Sequence, residues 1–586
     1  MTGVMGIGRH RLSDKIDPAA AIIWAFTFNH KEYTMIGHIH RKRKVEKNDI
    51  RKSRTRGILL ICAVMLGLMM LMTACSQKQS SSDEQIRSIE ELAEKADTVA
   101  QPSDFNLDSE LEKICPDAEL EFIDNYQMGT IALENGQIDA YIIGKLEISL
   151  LLKADDDDSL VELDEDFAVF ECALGLCSST PVRNYESRVN EIITGFIEDG
   201  TIEEMKERWI INGCDELPTL SVPVDPEYTL KVVTYGATKP YSYYEGSELV
   251  GFDVELAYRV AYALNCDIEL YTAEYPSMYL GTSTGKYDMI SANLYVTGER
   301  TENMTFSVPY DTARIGVLVR NEEKQNSSAF TFDDIKNSFY KSLVENDRWQ
   351  MILSGFGVTL ILTVFGFLLA NIIGILYCAA MLSRSRVLHG IAGVYSRIMQ
   401  GMPIVVVLLI LFYVVFGNTD VSGIIVSIIG FGLNGGVSAG QLFYNGVTGV
   451  DKGQKEAAYA LGFSKFQTFC GITFPQAARR SVTVYFSNLI ALMKGTSIVG
   501  YVAVVDLTRA GNLIQNSTYE AFFPLIVVAV IYFILATALI CLANSINKKL
   551  APKRVGPGTD AAAKKRGWSR WGSDKKSVPV KTTEKN

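Results

Sequence analysis

Apolar and polar positions follow three different rhythms along this chain of 586 residues. Near the start, GILLICAVMLGLMMLMTA (57–74) carries no charge and follows a segment, 41–56, holding nine Lys and Arg. A membrane-crossing helix needs about 20 apolar residues, so this run is barely long enough. Between 86 and 320 the rhythm changes. ELEFI (119–123), IDAYII (138–143), FAVFECAL (167–174), LKVVTYG (230–236), CDIELYTAE (266–274), YDMISANL (287–294) and RIGVLVR (314–320) predict strands. SRVNEIITGFIEDGTIEEMKERWI (187–210) and FDVELAYRVAYALN (252–265) place apolar residues at helical spacing. PTLSVPVDPEY (218–228) is Pro-rich and predicts a linker. The third rhythm begins at Trp349, where 35 residues to Ser383 pass without a charge. Further apolar stretches follow at 388–417, 421–447, 482–505 and 521–547, which predicts five membrane spans.

Charge divides the chain at the same places. Residues 82–330 hold 17 Lys+Arg and 50 Asp+Glu, so 17 − 50 = −33; the remainder holds 39 and 17, so 39 − 17 = +22. An acidic water-soluble part is thus joined to basic-flanked apolar parts. The acidic half excludes nucleic acid as partner, because phosphate binding needs a basic face. The ten Cys show neither CxxC nor the Cys/His spacing of a zinc site, and no metal or cofactor is expected. One disulfide among Cys115, Cys172, Cys177, Cys214 and Cys266 is possible, with no pairing legible.

Placing the acidic part outside orients every span. The first ends inside at Ser383-Arg384-Ser385-Arg386, and the second returns outside at GNTD (417–420). The third leads inside to Lys452, Lys455, Lys465, Arg479 and Arg480, and the fifth leads inside to a basic tail. Each basic cluster then faces the cytoplasm. The expected organisation is a basic cytoplasmic segment (1–56), a signal peptide or anchor (57–75), an external region in two units (76–218 and 225–320), a linker (321–345), a transmembrane domain (346–550) and a basic tail (551–586). Met72-Thr73-Ala74-Cys75 before a polar stretch resembles a bacterial lipobox, in which Cys75 would be lipidated after cleavage; the alternative is an uncleaved anchor.

The inner loop after the third span reads GQKEAAYALGFSKFQTFCGITFP. Glu456, Ala457, Ala458, Gly462 and Pro475 stand at the spacing of the EAA loop, and the region resembles the permeases of bacterial ABC importers. MQGMP (399–403), KGTS (494–497) and VDLTRAGN (505–512) resemble phrases of the polar amino acid subfamily. That resemblance implies a cytoplasmic ATPase dimer docking on the loop and a second permease subunit, identical or homologous. Lys494, an intramembrane charge, is placed on the translocation side. GTSTGKY (281–287) has three residues between its glycines and Tyr287 where Ser/Thr must hold magnesium, so it is no phosphate loop. The chain is read as a transporter subunit and not as an enzyme.

The acidic half resembles the extracellular solute-binding proteins for polar amino acids, with its lobes in permuted order. KPYSYYEGSELVGFDVELA (239–257) and GKYDMISANLYVTGERTENMTFSVPY (285–310) match the first lobe. IRSIEELAEKADTV, ALENGQIDAYI and FIEDGTIEEMKERW match the second lobe and closing helix. The expected fold is therefore a two-lobed α/β external domain plus an all-α membrane domain. The order allows one permuted clamp or the remnants of two. By the resemblance, Arg300 in Thr297-Gly298-Glu299-Arg300 binds the solute's carboxylate, Tyr275 packs on its side chain, and Ser103 offers a hydroxyl or caps a helix. Thr238, Asn293 and Tyr295 depart from the family pattern. So does Gly144, which stands where an ammonium-binding Asp is usual, with Glu147 as the candidate substitute. A ligand-gated channel or sensor with such an ectodomain is the alternative reading.

Overall fold

The computed structural model describes residues 85–550, apart from 103, 104, 106, 124, 155–157, 302, 303, 322–331, 418 and 521. Cys75 and Ser103, with the run 57–74 and both basic ends, lie outside the described residues.

The first lobe met along the chain contains α1 (Ile89–Lys95), β1 (Thr98–Gln101), α2 (Asp108–Ile114), β2 (Glu119–Phe122), α3 (Tyr126–Glu134), β3 (Ala140–Gly144), α4 (Lys145–Ala154) and β4 (Leu160–Glu162). Strand β3 is buried at every position, as its unbroken apolar run requires of a strand covered on both faces. Strand β5 (Ala168–Leu176) then carries the chain into the other lobe, followed by helices α5 (Tyr185–Glu198) and α6 (Thr201–Lys206). That lobe continues with β6 (Tyr228–Thr234), β7 (Tyr243–Glu245), β8 (Glu248–Val250), α7 (Phe252–Ala263), β9 (Cys266–Thr272), α8 (Tyr275–Ser283), β10 (Met289–Tyr295), α9 (Gly298–Thr301) and β11 (Thr305–Phe306). Strand β12 (Asp311–Arg320) returns to the first lobe.

One ten-stranded sheet runs through both lobes in the order β2-β1-β3-β12-β5-β10-β6-β9, with β4 beside β12 and β11 beside β5. Neighbours within each lobe are parallel (β1 with β2 and β3, β6 with β9 and β10). The two crossing strands are antiparallel to each other, Ala313 opposite Phe170. FAVFECAL was expected within the second-lobe unit; its strand instead crosses to pair with β10, Cys172 opposite Tyr295. The two expected units therefore form one clamp with a shared sheet, its order permuted so that the chain enters and leaves through the same lobe.

The closing segment after α5 packs on α7 of the same lobe. Trp209 is fully buried and donates from Nε1 to Glu255 at 2.6 Å, and Arg208 meets both carboxylate oxygens of Glu255 at 2.6 and 2.9 Å. Arg259 adds a third contact to the same carboxylate at 2.7 Å. A carboxylate with no exposed surface is stable as an anion only when so compensated. The exposed linker 212–227, with Val222 and Val224 open to solvent, joins this segment to β6. The five cysteines of the clamp are unpaired, and four of them are buried.

After α10 (Phe332–Phe339), the membrane part comprises α11 (Trp349–Leu382), α12 (Arg386–Gly401), α13 (Ile404–Leu409), α14 (Gly423–Thr448), α15 (Lys452–Ala460), α16 (Lys465–Thr468), α17 (Phe474–Gly495), α18 (Leu507–Thr518) and α19 (Phe523–Leu550). Among the described residues, four helical stretches are long and apolar enough to cross a membrane, or five if the bent pair Arg386–Gly401 and Ile404–Val415 is one span. The stretch expected as one span at 388–417 bends by 108° at Met402-Pro403. Proline has no N–H to continue a helix and drives the residue before it to extended backbone; Met402 sits at φ −108°, ψ 133°. Helices α11 and α14 pack through glycines, and a Cβ on Gly374 would lie 2.8 Å from the Ala439 Cβ.

Candidate functional site

The cleft between the lobes is lined by Phe105, Tyr126 and Glu147 from one side and by Thr238, Tyr241, Ser242, Asp253, Tyr275, Asn293, Tyr295 and Arg300 from the other, with Ala292 and Leu294 at its back. Arg300 is 7% exposed; its Nη1 donates to the Tyr295 carbonyl at 2.9 Å, and its guanidinium lies 5.3 Å from the Tyr279 ring centroid. Thr297 is outside the lining. Its Oγ1 accepts from the Arg300 N–H at 3.4 Å, which fixes the short helix that carries Arg300. Tyr275 opens α8, donates to the Ala292 carbonyl at 3.3 Å and tilts against Tyr235 with centroids 4.9 Å apart.

Glu147 reaches the cleft from the other lobe. It is 3% exposed, and its carboxylate lies over Gly144. A buried guanidinium and a buried carboxylate thus face one cleft from opposite lobes, the arrangement that matches both ends of a zwitterion. The cleft volume is about 10 Å³, room for about one water. The two lobes are closed on each other here, with no room for a solute between them.

Sequence reasoning passed over Asp253, the acid in FDVELA. It is fully buried against the cleft, accepts from the Tyr310 hydroxyl at 3.3 Å, and burial raises its pKa to about 7. The signal available was a carboxylate in the first turn of a helix whose neighbours Phe252, Val254 and Leu256 are all apolar. Tyr126, Tyr241 and Ser242 carried no such signal.

The hairpin expected to dock an ATPase lies elsewhere. Helix α15 ends at Gly462, which has φ +83° with open space where a Cβ would point, so backbone conformation and not close packing requires glycine there. Ser464 and Gln467 form a reciprocal cap on α16. Glu456, Ala457 and Pro475 are exposed and Ala458 is buried. Leu461 and Phe466 are 78% and 76% exposed, and Tyr459, Phe463, Phe469 and Phe474 join them. These side chains form an exposed apolar patch on an otherwise polar hairpin. Lys494 is exposed at the end of α17, where the helix tightens to a 3₁₀ turn (Thr496–Val502).

The clamp also rests on the helical part. Lys286, part of the phosphate-loop look-alike, donates to the Thr419 carbonyl at 2.7 Å and sits over the Phe412 ring. Lys231 pairs with Asp420. Arg509 of α18 pairs with Glu274 and donates to the Tyr235 carbonyl at 3.1 Å.

Residues 370–552 match the family described as binding-protein-dependent transport system inner membrane component. A putative glutamine transport system permease protein of Rickettsia felis is 31% identical over 204 residues, covering 34% of this chain and 92% of that protein. A probable amino-acid ABC transporter permease protein of Bacillus subtilis is 28% identical over 206 residues, 35% of this chain and 91% of that protein. Among solved structures, an amino acid ABC transporter with histidines has 23% identity and a TM-score of 0.33, over 38% of this chain and all of that one. With 31% identity across nearly the whole of a relative, the chain belongs to the binding-protein-dependent transport system inner membrane components, here fused to a two-lobed α/β domain.

Proposed function

We propose that the chain captures a polar amino acid or a related small carboxylate in its own clamp outside the cell membrane and delivers it to its own permease helices. In this reading Arg300 takes the carboxylate, Glu147 the ammonium and Tyr275 the side chain. A separate pair of cytoplasmic ATPases docks on the hairpin 451–475 and drives the cycle. A second permease subunit, a copy or a homologue, completes the pore, and Lys494 borders the path.

The observation that carries this reading is the placement of α18. It meets both lobes, each time at a residue adjoining the cleft lining. Arg509 pairs with Glu274, next to Tyr275. Asn516 accepts from Asn125 at 2.5 Å, next to Tyr126. Just beyond the helix, the Tyr519 hydroxyl donates to the Lys239 carbonyl at 3.4 Å, next to Thr238. Opening the clamp moves Asn125 away from Lys239, so α18 registers whether the clamp is open. The relatives, named for glutamine and amino-acid transport, support the cargo class. The outer position of the clamp is supported by its contacts with Arg348, Thr419 and Tyr519, which belong to the three connections expected outside. The permease match leaves the channel reading without support.

The test is uptake into proteoliposomes holding the full chain and its co-expressed ATPase. ATP-dependent accumulation of labelled amino acid, lost in Arg300→Ala, is the expected result. Solute-gated ion conductance without ATP would overturn the proposal.

A further inference from the structure

A second cavity, of about 130 Å³, lies between the clamp and the permease. Its walls are Glu274 from the clamp, Ser497, Gly500 and Tyr501 from the 3₁₀ turn, and Arg509 and Asn512 from α18. A cavity of about 150 Å³ admits benzene, so this chamber suits a solute of that size. The polar side chains of its lining make it a place for a charged molecule.

Its position links the two known regions. Glu274 immediately precedes Tyr275, which lines the cleft. Arg509 holds the Tyr235 carbonyl, and the Tyr235 ring rests on Tyr275. Cleft and chamber therefore adjoin at the Glu274-Tyr275 turn, with Tyr235 packed behind it. On the membrane side the chamber is floored by the 3₁₀ turn that follows Lys494.

The Glu274–Arg509 pair defines what fits. Arg509 keeps 6% of its side chain exposed and Glu274 29%, so the pair is partly desolvated. A zwitterion presents the complementary pair, a carboxylate for Arg509 and an ammonium for Glu274. Inserted between them, it replaces one ion pair by two and leaves no buried charge uncompensated. A simple anion or cation leaves one protein charge unmatched, at a cost. Because Glu274 and Arg509 also satisfy each other, the solute competes with an existing contact and is held weakly.

We propose that this chamber is a second solute site, a transit station for a small zwitterionic amino acid passing from the cleft to the membrane path. The proposal rests on the amino-acid reading above.

The experiment uses the full chain in lipid nanodiscs, with glycine, L-alanine and L-serine as probes and equilibrium binding as readout. In Arg300→Ala, which disables the cleft, one weak site remains, of roughly tenfold lower affinity than the cleft site. Adding Gly500→Leu fills the chamber and removes that site. A Cβ there meets only the aliphatic part of Arg509, at 3.6 Å. Glu274→Gln in the Arg300→Ala background leaves the guanidinium unmatched and shifts preference from alanine to propionate, a gain that a merely structural role does not produce. Arg300→Ala that binds no probe, or Arg300→Ala/Gly500→Leu that binds as before, overturns the chamber. Should Gly500→Leu not fold, an unchanged preference in Glu274→Gln overturns it equally. Absence of any Arg300-dependent site in the wild type, with the weak site intact, sinks the cleft reading and leaves the chamber standing.

Discussion

A Cβ added to Gly144 would lie 2.0 Å from Oε2 of Glu147. The carboxylate of residue 147 therefore occupies the space a side chain at 144 would take, one helical turn displaced in sequence and nearly coincident in space. The missing side chain at Gly144 and the acid at Glu147 thus share one position beside the cleft.

This relationship changes what a substitution should do. From sequence, Gly144→Asp is expected to restore an ammonium site and improve L-amino acid binding. In the structure it brings two carboxylates together, and one of them is pushed out or protonated. Gly144→Asp alone should weaken binding, Glu147→Gln should lessen the preference for amino over deamino acids, and Gly144→Asp/Glu147→Ala should recover it. Titration calorimetry on the full chain with matched pairs, with and without the α-amino group, decides. Unaltered preference in Glu147→Gln would assign the ammonium site elsewhere.

Arg300→Ala should reduce carboxylate affinity by roughly two decades, since losing one partner of a buried charge pair costs several kcal/mol. Arg300→Lys should recover only part, because an ammonium cannot match a carboxylate with a planar fork. Competition binding with the same solutes measures both. An affinity in Arg300→Ala equal to wild type removes Arg300 from the site.

Stability should fall with rising pH through Asp253. Burial raises its folded pKa to about 7, above the ordinary value of 3.8. Between those values the folded state binds more proton than the unfolded state, so stability declines from about pH 4 to pH 7 and levels off above. The full effect is on the order of 4 kcal/mol. Asp253→Asn should match wild type near pH 4 and exceed it at pH 8, by thermal unfolding in detergent. Parallel pH profiles of the two proteins would refute the assignment.

At the hairpin, Gly462→Trp should abolish co-purification of the ATPase while the chain still inserts in the membrane. Gly462→Asn, which tolerates positive φ, should retain it. Loss with Asn as severe as with Trp would mean that the hairpin's own fold, and not its docking surface, had been broken.

Topology can be read by single-cysteine labelling on a Cys-free background. Val224→Cys, at 83% exposure in the linker, should label from outside intact cells. Leu461→Cys, at 78% on the hairpin, should label only after permeabilisation. Reaction of Leu461→Cys in intact cells inverts the orientation.

The sequence by itself determined the division of the chain, because charge, strand alternation and long apolar runs are local properties that need no partner to be legible. The linker at 218–228 and most clamp strands followed from composition and period, and the hairpin around Gly462 from its resemblance to the EAA loop. Where local chemistry was strong it also located breaks, though Met402-Pro403 was passed over within an apolar run that otherwise reads as one span. Tertiary structure decided which lobe each strand serves. FAVFECAL looks like any other buried strand, and only its pairing with β10 shows that it crosses between lobes. It also decided that the Glu147 carboxylate lies over Gly144, since a side chain three positions along a helix start returns to its neighbour only when α4 follows β3 at this angle. The meeting of Glu274 with Arg509 spans 235 residues, and no periodicity connects them. Contacts of that kind arise from the docking of two folded surfaces, whose complementarity is written in shape and not in any segment of the chain.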